Sequence, residues 1–473
     1  MGPVRAGSGP DLEPRDGEGR TVASSGIPPL RVGEEVPRRG APETVEEGRT
    51  GFRHLLQHRD FRLIWYAQVA AQLADKFLMF SLIILAYGLS GGSTPVAITL
   101  LAYTVPAVVI APVAGVFADR HDRKLIMVGT NVVRAALVAL IPLASFVPAL
   151  DHDYVHLLLI TFAFAAVGQL FSPAEAAAIP SVIPRGVLIT ANSMVLGTMV
   201  LTLVLGGALA PITSRAQIYA PYWIAVVLFG LAGVLIVMAR IPRPECRVEP
   251  VRRHPFHQLA VEMSEGLDVL RRSRVLMLAF FEVSLTVLVM FMMFTLAPAY
   301  VGQVLRLGNQ DSYMILVPAT VGALVSAAAI GQLGRRLGPA QLLVGGLTAM
   351  GVTLTVLAVV PAILLPPAGD DGVVRAFAVA ISLLLGLEFG ALMIPALAYL
   401  MEHTSDRVRG RIFALLFMVI NGVTALPVLA AAAMSDWLGI TKVVAGLGVL
   451  LVIAGLLLAG RARWIFAIGD DHG

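Results

Sequence analysis

The sequence predicts an all-α membrane protein with twelve transmembrane helices arranged as two six-helix, pseudo-symmetric bundles. Three observations predict this. Of 473 residues, 57 % are hydrophobic and only 14 % are charged. An ordinary soluble domain carries roughly 25 % charged residues, and one core cannot hide this much apolar surface. Next, apolar runs of membrane-spanning length recur twelve times. Finally, Lys and Arg are partitioned between alternate connections, as membrane topology requires.

The elements follow in chain order. Residues 1–51 hold 16 of the 66 charged residues and no apolar stretch. Their Gly, Pro, Glu and Arg content predicts a disordered N-terminal tail. A bilayer span needs about 20 predominantly apolar residues. Such runs occupy 62–88, 94–118, 125–147, 155–179, 187–212 and 221–239, and then 275–301, 313–333, 342–365, 374–401, 412–434 and 443–459. They are read as helices because each satisfies its own backbone groups in lipid, which an isolated strand cannot do. Internal prolines such as Pro106, Pro142, Pro298 and Pro395 are tolerated in membrane helices.

The domains expected are therefore an N-terminal bundle over 52–240, a linker over 241–274, a C-terminal bundle over 275–465 and a short tail over 466–473. In the linker, Phe256, Leu259, Ala260, Met263, Leu267 and Leu270 recur at steps of three and four. This predicts an amphipathic helix on the inner membrane face.

Orientation follows from the basic residues. The connections after the even-numbered runs, with the C-terminal segment, hold 19 Lys and Arg, and the other connections hold four. Both termini are expected to be cytoplasmic, in the plasma (inner) membrane. The same scatter argues against nucleic-acid binding, which would gather basic residues into one patch. The one cysteine, Cys246, excludes an internal disulfide and a cysteine-based metal cluster. No phosphate-binding loop of the G-x-x-x-x-G-K-[ST] type is present, so direct ATP drive is not expected. No Ser-His-Asp arrangement is read, and neither enzymatic activity, a cofactor nor a bound metal is expected. His152 and His156, with Asp151 and Asp153, have no closing ligand in the sequence.

The halves look like weak repeats. The second run ends Gly115-Val-Phe-Ala-Asp119-Arg120-His-Asp122-Arg123-Lys124, and the eighth ends Gly331-Gln-Leu-Gly-Arg335-Arg336-Leu-Gly338. Arg185-Gly186 precedes the fifth run as Arg409-Gly410-Arg411 precedes the eleventh. Transporters commonly arise from such duplications, with substrate bound between the repeats.

The pattern Gly115-x-x-x-Asp119-Arg120-x-x-Arg123-Lys124 resembles the signature loop of the major facilitator superfamily. Phe61-Arg-Leu-Ile-Trp65, Asp122, Arg134, Ser172-Pro173-Ala174-Glu175 and Ala191-Asn192-Ser193 resemble the exporter branch that holds enterobactin and macrolide efflux proteins. One departure stands out. Where efflux relatives often carry Gly-Pro-x-x-Gly-Gly, this chain has Gly206-Gly207-Ala-Leu-Ala210-Pro211, which keeps small residues in a different order.

The resemblance implies the major facilitator fold, alternating access, and a gating role for Gly115, Asp119, Arg120, Arg123, Lys124, Glu175 and Arg409. Asp119 is expected to accept hydrogen bonds from the helix start at Arg409–Ile412, and Arg123 to pair with Glu175. The alternative is that the basic residues only enforce topology.

The resemblance also implies a central cavity lined by the first, fourth, seventh and tenth spans. An ionisable group at the centre of a span costs about 2.5–3.5 kcal/mol on insertion scales, so each needs a reason. Asp75, Lys76, Arg134, Glu282 and Glu388 are the candidates for proton coupling or substrate contact. Asp75 and Arg134 alternatively form a buried ion pair. Lys76 lies about 100° round the helix from Asp75 and so is expected to act elsewhere. Glu388 has no basic residue at similar depth in its half, and is either a proton site or a neutral carboxyl bonded to a neighbouring helix. Phe77, Phe80, Phe281, Phe291, Phe294 and Phe389, with Met290, Met292 and Met293, supply an apolar wall or plain packing.

The function expected is a secondary transporter, proton-coupled and exporting an amphipathic or hydrophobic small molecule of drug or siderophore type, acting as a monomer in contact with membrane lipid. The alternatives are movement of lysophospholipid or another lipid, and a non-transporting membrane sensor or scaffold.

Overall fold

In the computed structural model, the residues described are 55–148, 154–184, 187–242, 255–333, 339–364, 371–404 and 406–466. The 1–51 tail, Arg185-Gly186, the linker before Pro255, the second loop copy at Arg335–Gly338, and 467–473 lie outside them. Among the described residues the structure is helical and contains no strand.

The twelve apolar runs fall on helices. The first six lie on α1 (Arg59–Ser90), α2 (Ser93–Val109) with α3 (Ala111–Arg120), α4 (Arg123–Ala144), α5 (Tyr154–Val182), α6 (Leu188–Ala216) and α7 (Ala220–Met238). The linker helix is α8 (Pro255–Arg272). Then come α9 (Arg274–Gln303), α10 (Tyr313–Leu333), α11 (Pro339–Leu364), α12 (Asp371–Glu402), α13 (Asp406–Met418) continuing through a π-helical turn at Val419–Val423 into α14 (Ala425–Leu438), and α15 (Ile440–Phe466). Among the described residues ten helices are long and apolar enough to cross a membrane, and Ser93–Val109 and Tyr313–Ala327 are shorter apolar stretches.

Two interruptions were not expected. The second run breaks at Ile110, just before Pro112, which takes the second position of α3. Proline is accepted in the first turn of a helix because those N–H groups have no partner there anyway. The eleventh run carries the π turn around Asn421-Gly422. Such single π turns cost a regular hydrogen bond and bend the helix locally.

Packing sets where the site lies. Helix α1 is the most buried and contacts α6, α7 and α2, while α4 packs on α5 and α7. In the second half α12 packs on α10, α11 and α9, and α11 on α15. The α10–α12 crossing depends on Gly386, where a methyl group would collide with the carbonyl of Ala319. Small residues let membrane helices approach this closely. Two seams join the halves: α2 meets α14, and α6 meets α10.

The linker segment forms α8, which also touches the second half. Its Met263, Leu267 and Leu270 do not face only lipid. Leu270 is buried, and all three pack with Leu276, Leu400, Ile412 and Leu416 of α9, α12 and α13. Glu265 pairs with Arg411 at 2.5 Å, so the described C-terminal part of α8 is held against α13. The side chains of Phe256, Leu259 and Ala260 lie outside the described residues.

Candidate functional site

A cavity of about 130 Å³ lies at the seam between the halves. Phe80 of α1 and Leu203 and Val204 of α6 form one side. Met290, Met293 and Phe294 of α9, Ala319 and Thr320 of α10, and Ser382, Gly386 and Phe389 of α12 form much of the other. Phe80 and Phe294 meet edge to face across it, with centroids 5.2 Å apart. Such pairs are favoured by the aromatic quadrupole. Among the described residues that line the cavity none is charged. The polar side chains among these described residues are two hydroxyls. Thr320 Oγ1 donates to the carbonyl of Leu316 at 2.7 Å, and Ser382 Oγ is buried with no partner.

Of the aromatic residues singled out by sequence, Phe80, Phe294 and Phe389 line this cavity. Phe281 instead is 57 % exposed, Phe77 is core, and Phe291 borders a small separate pocket beside α2 and α14. Met290 and Met293 line the cavity and Met292 does not.

Among the described lining residues none of Asp75, Lys76, Arg134, Glu282 and Glu388 appears. Asp75 and Arg134 form an ion pair between α1 and α4. Tyr103 of α2 donates to Asp75 Oδ2 at 2.5 Å. The guanidinium of Arg134 also lies over Phe164 and Phe229, 4.2 and 4.5 Å from their ring centroids. This cluster ties five helices of the first half, α1, α2, α4, α5 and α7.

Lys76 reaches back to Asp75 Oδ2 at 3.3 Å, contrary to the argument from helical angle. The angle fixes where Cβ points, but a four-carbon stem spans the gap. Its backbone is also crowded by α6, since a methyl group on Gly206 would collide with Lys76 Cβ. The rearranged glycine pair thus serves close approach of α6 to α1.

Glu388 is buried in α12. Its Oε1 accepts from Thr353 Oγ1 of α11 at 2.7 Å, and its Oε2 has no partner. The sequence reading did not identify Thr353, because a threonine in an apolar helix gives no signal until the facing helix is known. Glu282 of α9 is buried at 8 % exposure.

At the signature loop, Asp122 caps α4 by accepting from the backbone N–H groups of Lys124 and Leu125. Lys124 Nζ donates to the carbonyls of Val237 and Ala239 at 2.7 and 2.8 Å, anchoring the loop to α7. Arg123 does not pair with Glu175. Its Nη1 donates to the carbonyl of Ala177 at 2.9 Å, and Glu175 Oε1 is buried without a partner. The guanidinium thus bonds the α5 backbone two residues beyond the carboxylate. Arg120 is exposed and Gly115 lies within α3. The side chains of Asp119 and Arg409 lie outside the described residues.

The family model of the Major Facilitator Superfamily matches residues 64–426. The chain belongs to this superfamily. Among curated relatives, Macrolide efflux protein A of Streptococcus pyogenes is 26 % identical over 216 residues, covering 45 % of this chain and 52 % of that protein. The match thus spans about half the length of that relative. Multidrug resistance protein MdtG of Dickeya zeae is 28 % identical over 319 residues, covering 65 % and 69 %.

Two solved transporter structures align along most of the chain. The nucleoside transporter NupG superposes with a TM-score of 0.61 at 12 % identity, covering 84 % of this chain and 98 % of its own. A bacterial homologue of the human lysosomal transporter Spinster gives 0.64 at 11 %, covering 87 % and 98 %. At such identities these superpositions show the fold alone; membership of the superfamily, which is not an enzyme class, rests on the family model.

Proposed function

We propose that this protein is a proton-coupled secondary transporter that exports uncharged or weakly charged amphipathic molecules by alternating access. The carrying observation is the cavity wall, which among the described residues offers three aromatic rings, methionines and aliphatic side chains, two hydroxyls and no charge. Such a wall favours apolar surface by roughly 25 cal/mol per Å² buried. It gives a phosphate or dicarboxylate nothing to offset its charge. The named efflux relatives support the direction of transport.

In this reading the chain crosses the membrane twelve times, with both termini and the basic connections on the cytoplasmic side, as two rocking bundles over 52–240 and 275–465. It acts as a monomer. Glu388 is the leading proton site, because it neighbours Phe389 of the cavity wall and has one oxygen held by Thr353 and one free. Glu282 is the second. Asp75, Lys76 and Arg134 are a structural cluster of the first bundle. Asp119, Arg123 and Glu175 form the cytoplasmic latch when that side shuts.

The test is reconstitution into vesicles with internal pH monitored, using a panel of hydrophobic drugs and siderophores. Coupled movement of a hydrophobic compound and protons is expected. Transport only of anionic metabolites, or lipid movement without any proton flux, contradicts the proposal.

A further inference from the structure

Helix α2 begins without a cap of its own. Its N-cap is Gly92, which has no side chain to accept from the first N–H groups. The first turn of a helix leaves such donors without intrahelical partners. They are satisfied from far along the chain. Asp436, near the end of α14, accepts the Ser93 N–H on Oδ1 at 2.8 Å. It accepts the Thr94 N–H and the Thr94 hydroxyl on Oδ2, at 2.8 and 2.6 Å. A carboxylate at a helix N-terminus is favoured both by these bonds and by the helix dipole. A side chain at Gly92 would press on this carboxylate, since a Cβ there would lie 3.3 Å from Asp436 Oδ2.

The contact joins α2 of the first half to α14 of the second, at the end of the molecule opposite the Gly115–Lys124 loop. Beneath it Ala97, Leu100, Val428 and Ala432 close an apolar plug with Met292. Two further polar contacts bridge the halves at the same end. Gln303 donates to the Tyr87 hydroxyl at 3.4 Å, and Arg215 lies 3.7 Å from Asp311 and bonds the Tyr313 hydroxyl. At the loop end the described bonds of Arg123 and Lys124 stay within the first half.

We propose that Asp436 is a positioning residue of the transport cycle: it latches α14 onto the open N-terminus of α2 and holds this end shut. Its three bonds exist only while the two helix ends meet, so they stabilise the state closed here and are absent from the state open here. A ligand or contact shifts a two-state equilibrium only by such a difference. The chemistry is the one expected of Asp119 and the start of α13 at the other end, with the halves exchanged. The inference rests on the alternating-access reading.

The test uses the full chain in nanodiscs in a Cys246→Ser background, with spin labels in two pairs. One pair, Ser90→Cys with Trp437→Cys, spans the latched end. The other, His121→Cys with His403→Cys, spans the loop end. Asp436→Ala is expected to raise the population with a long first distance about tenfold, in line with the loss of a helix cap. The second distance shortens in step. Asp436→Asn and Thr94→Val produce the same reciprocal change to a smaller degree, and they decide the matter if Asp436→Ala does not fold.

Unchanged distances overturn the proposal, as does broadening of both pairs without reciprocity, which a merely structural cap would give. If substrate moves the distances but the Asp436 variants do not, the latch fails and alternating access stands. If nothing moves either pair, alternating access itself fails.

Discussion

Replacing Asp75 by Asn separates a structural charge from a transporting one. The Asp75 carboxylate accepts from Arg134, from Tyr103 at 2.5 Å and from Lys76 at 3.3 Å. Arg134 is 6 % exposed, so its charge has no recourse to water. Breaking a buried pair by removing one member typically costs about 3–5 kcal/mol. Two features reduce that figure here. Arg134 keeps the faces of Phe164 and Phe229, a cation–π contribution of about 0.5–2 kcal/mol. Lys76 is 26 % exposed, so little is lost there to solvent screening.

The expected loss for Asp75→Asn is therefore about 2–4 kcal/mol. Arg134→Met costs a similar amount. The double variant, with no charge left to strand, recovers at least about 1 kcal/mol relative to the sum of the singles. The assay is reversible denaturation in detergent for wild type, both singles and the double. Additive losses within about 0.5 kcal/mol refute the reasoning. So does a stable Asp75→Asn protein that has lost proton coupling, which would return Asp75 to the transport chemistry.

Three further outcomes are expected. Gly386→Ala forces a methyl group onto the backbone carbonyl of Ala319, costing about 1–3 kcal/mol by overpacking; a lower monodisperse yield in size-exclusion chromatography checks it, against Gly446→Ala, which meets nothing within 4 Å. Glu388→Gln keeps the Thr353 bond but cannot exchange a proton, so substrate-driven proton movement in vesicles falls to background while Thr353→Val leaves coupling in place; undiminished proton movement in the Gln variant removes Glu388 from the mechanism. Asp119→Ala abolishes transport with membrane insertion intact, as measured by uptake assays alongside membrane-fraction blots.

The helices were legible because lipid imposes a length on every span, and the apolar runs carry that length directly. The break at Ile110 was not, although Pro106 and Pro112 flank it. Membrane helices accommodate proline in several ways, and only the neighbours decide which. The Asp75–Arg134 pair was foreseeable from depth alone. The freedom of Glu175 was not, because Arg123 had a nearer carbonyl at Ala177. The cavity wall was half visible. Its Phe and Met residues stand out in a sequence, but Ala319, Thr320 and Ser382 carry no signal until two helices close around them. Asp436 was overlooked for a related reason: an acidic residue near the end of a span is ordinary, and so is a Gly-Gly-Ser-Thr start. Only the α2–α14 seam makes them one feature.

The central claim is that the cavity opens in turn to each side of the membrane. A cysteine at Thr320, in a Cys246→Ser background, measures this directly with thiol reagents that cannot cross the bilayer. The account predicts modification from either side, applied separately, and protection on both sides by a transported hydrophobic compound. Modification from one side alone, under all substrate and pH conditions, would contradict it.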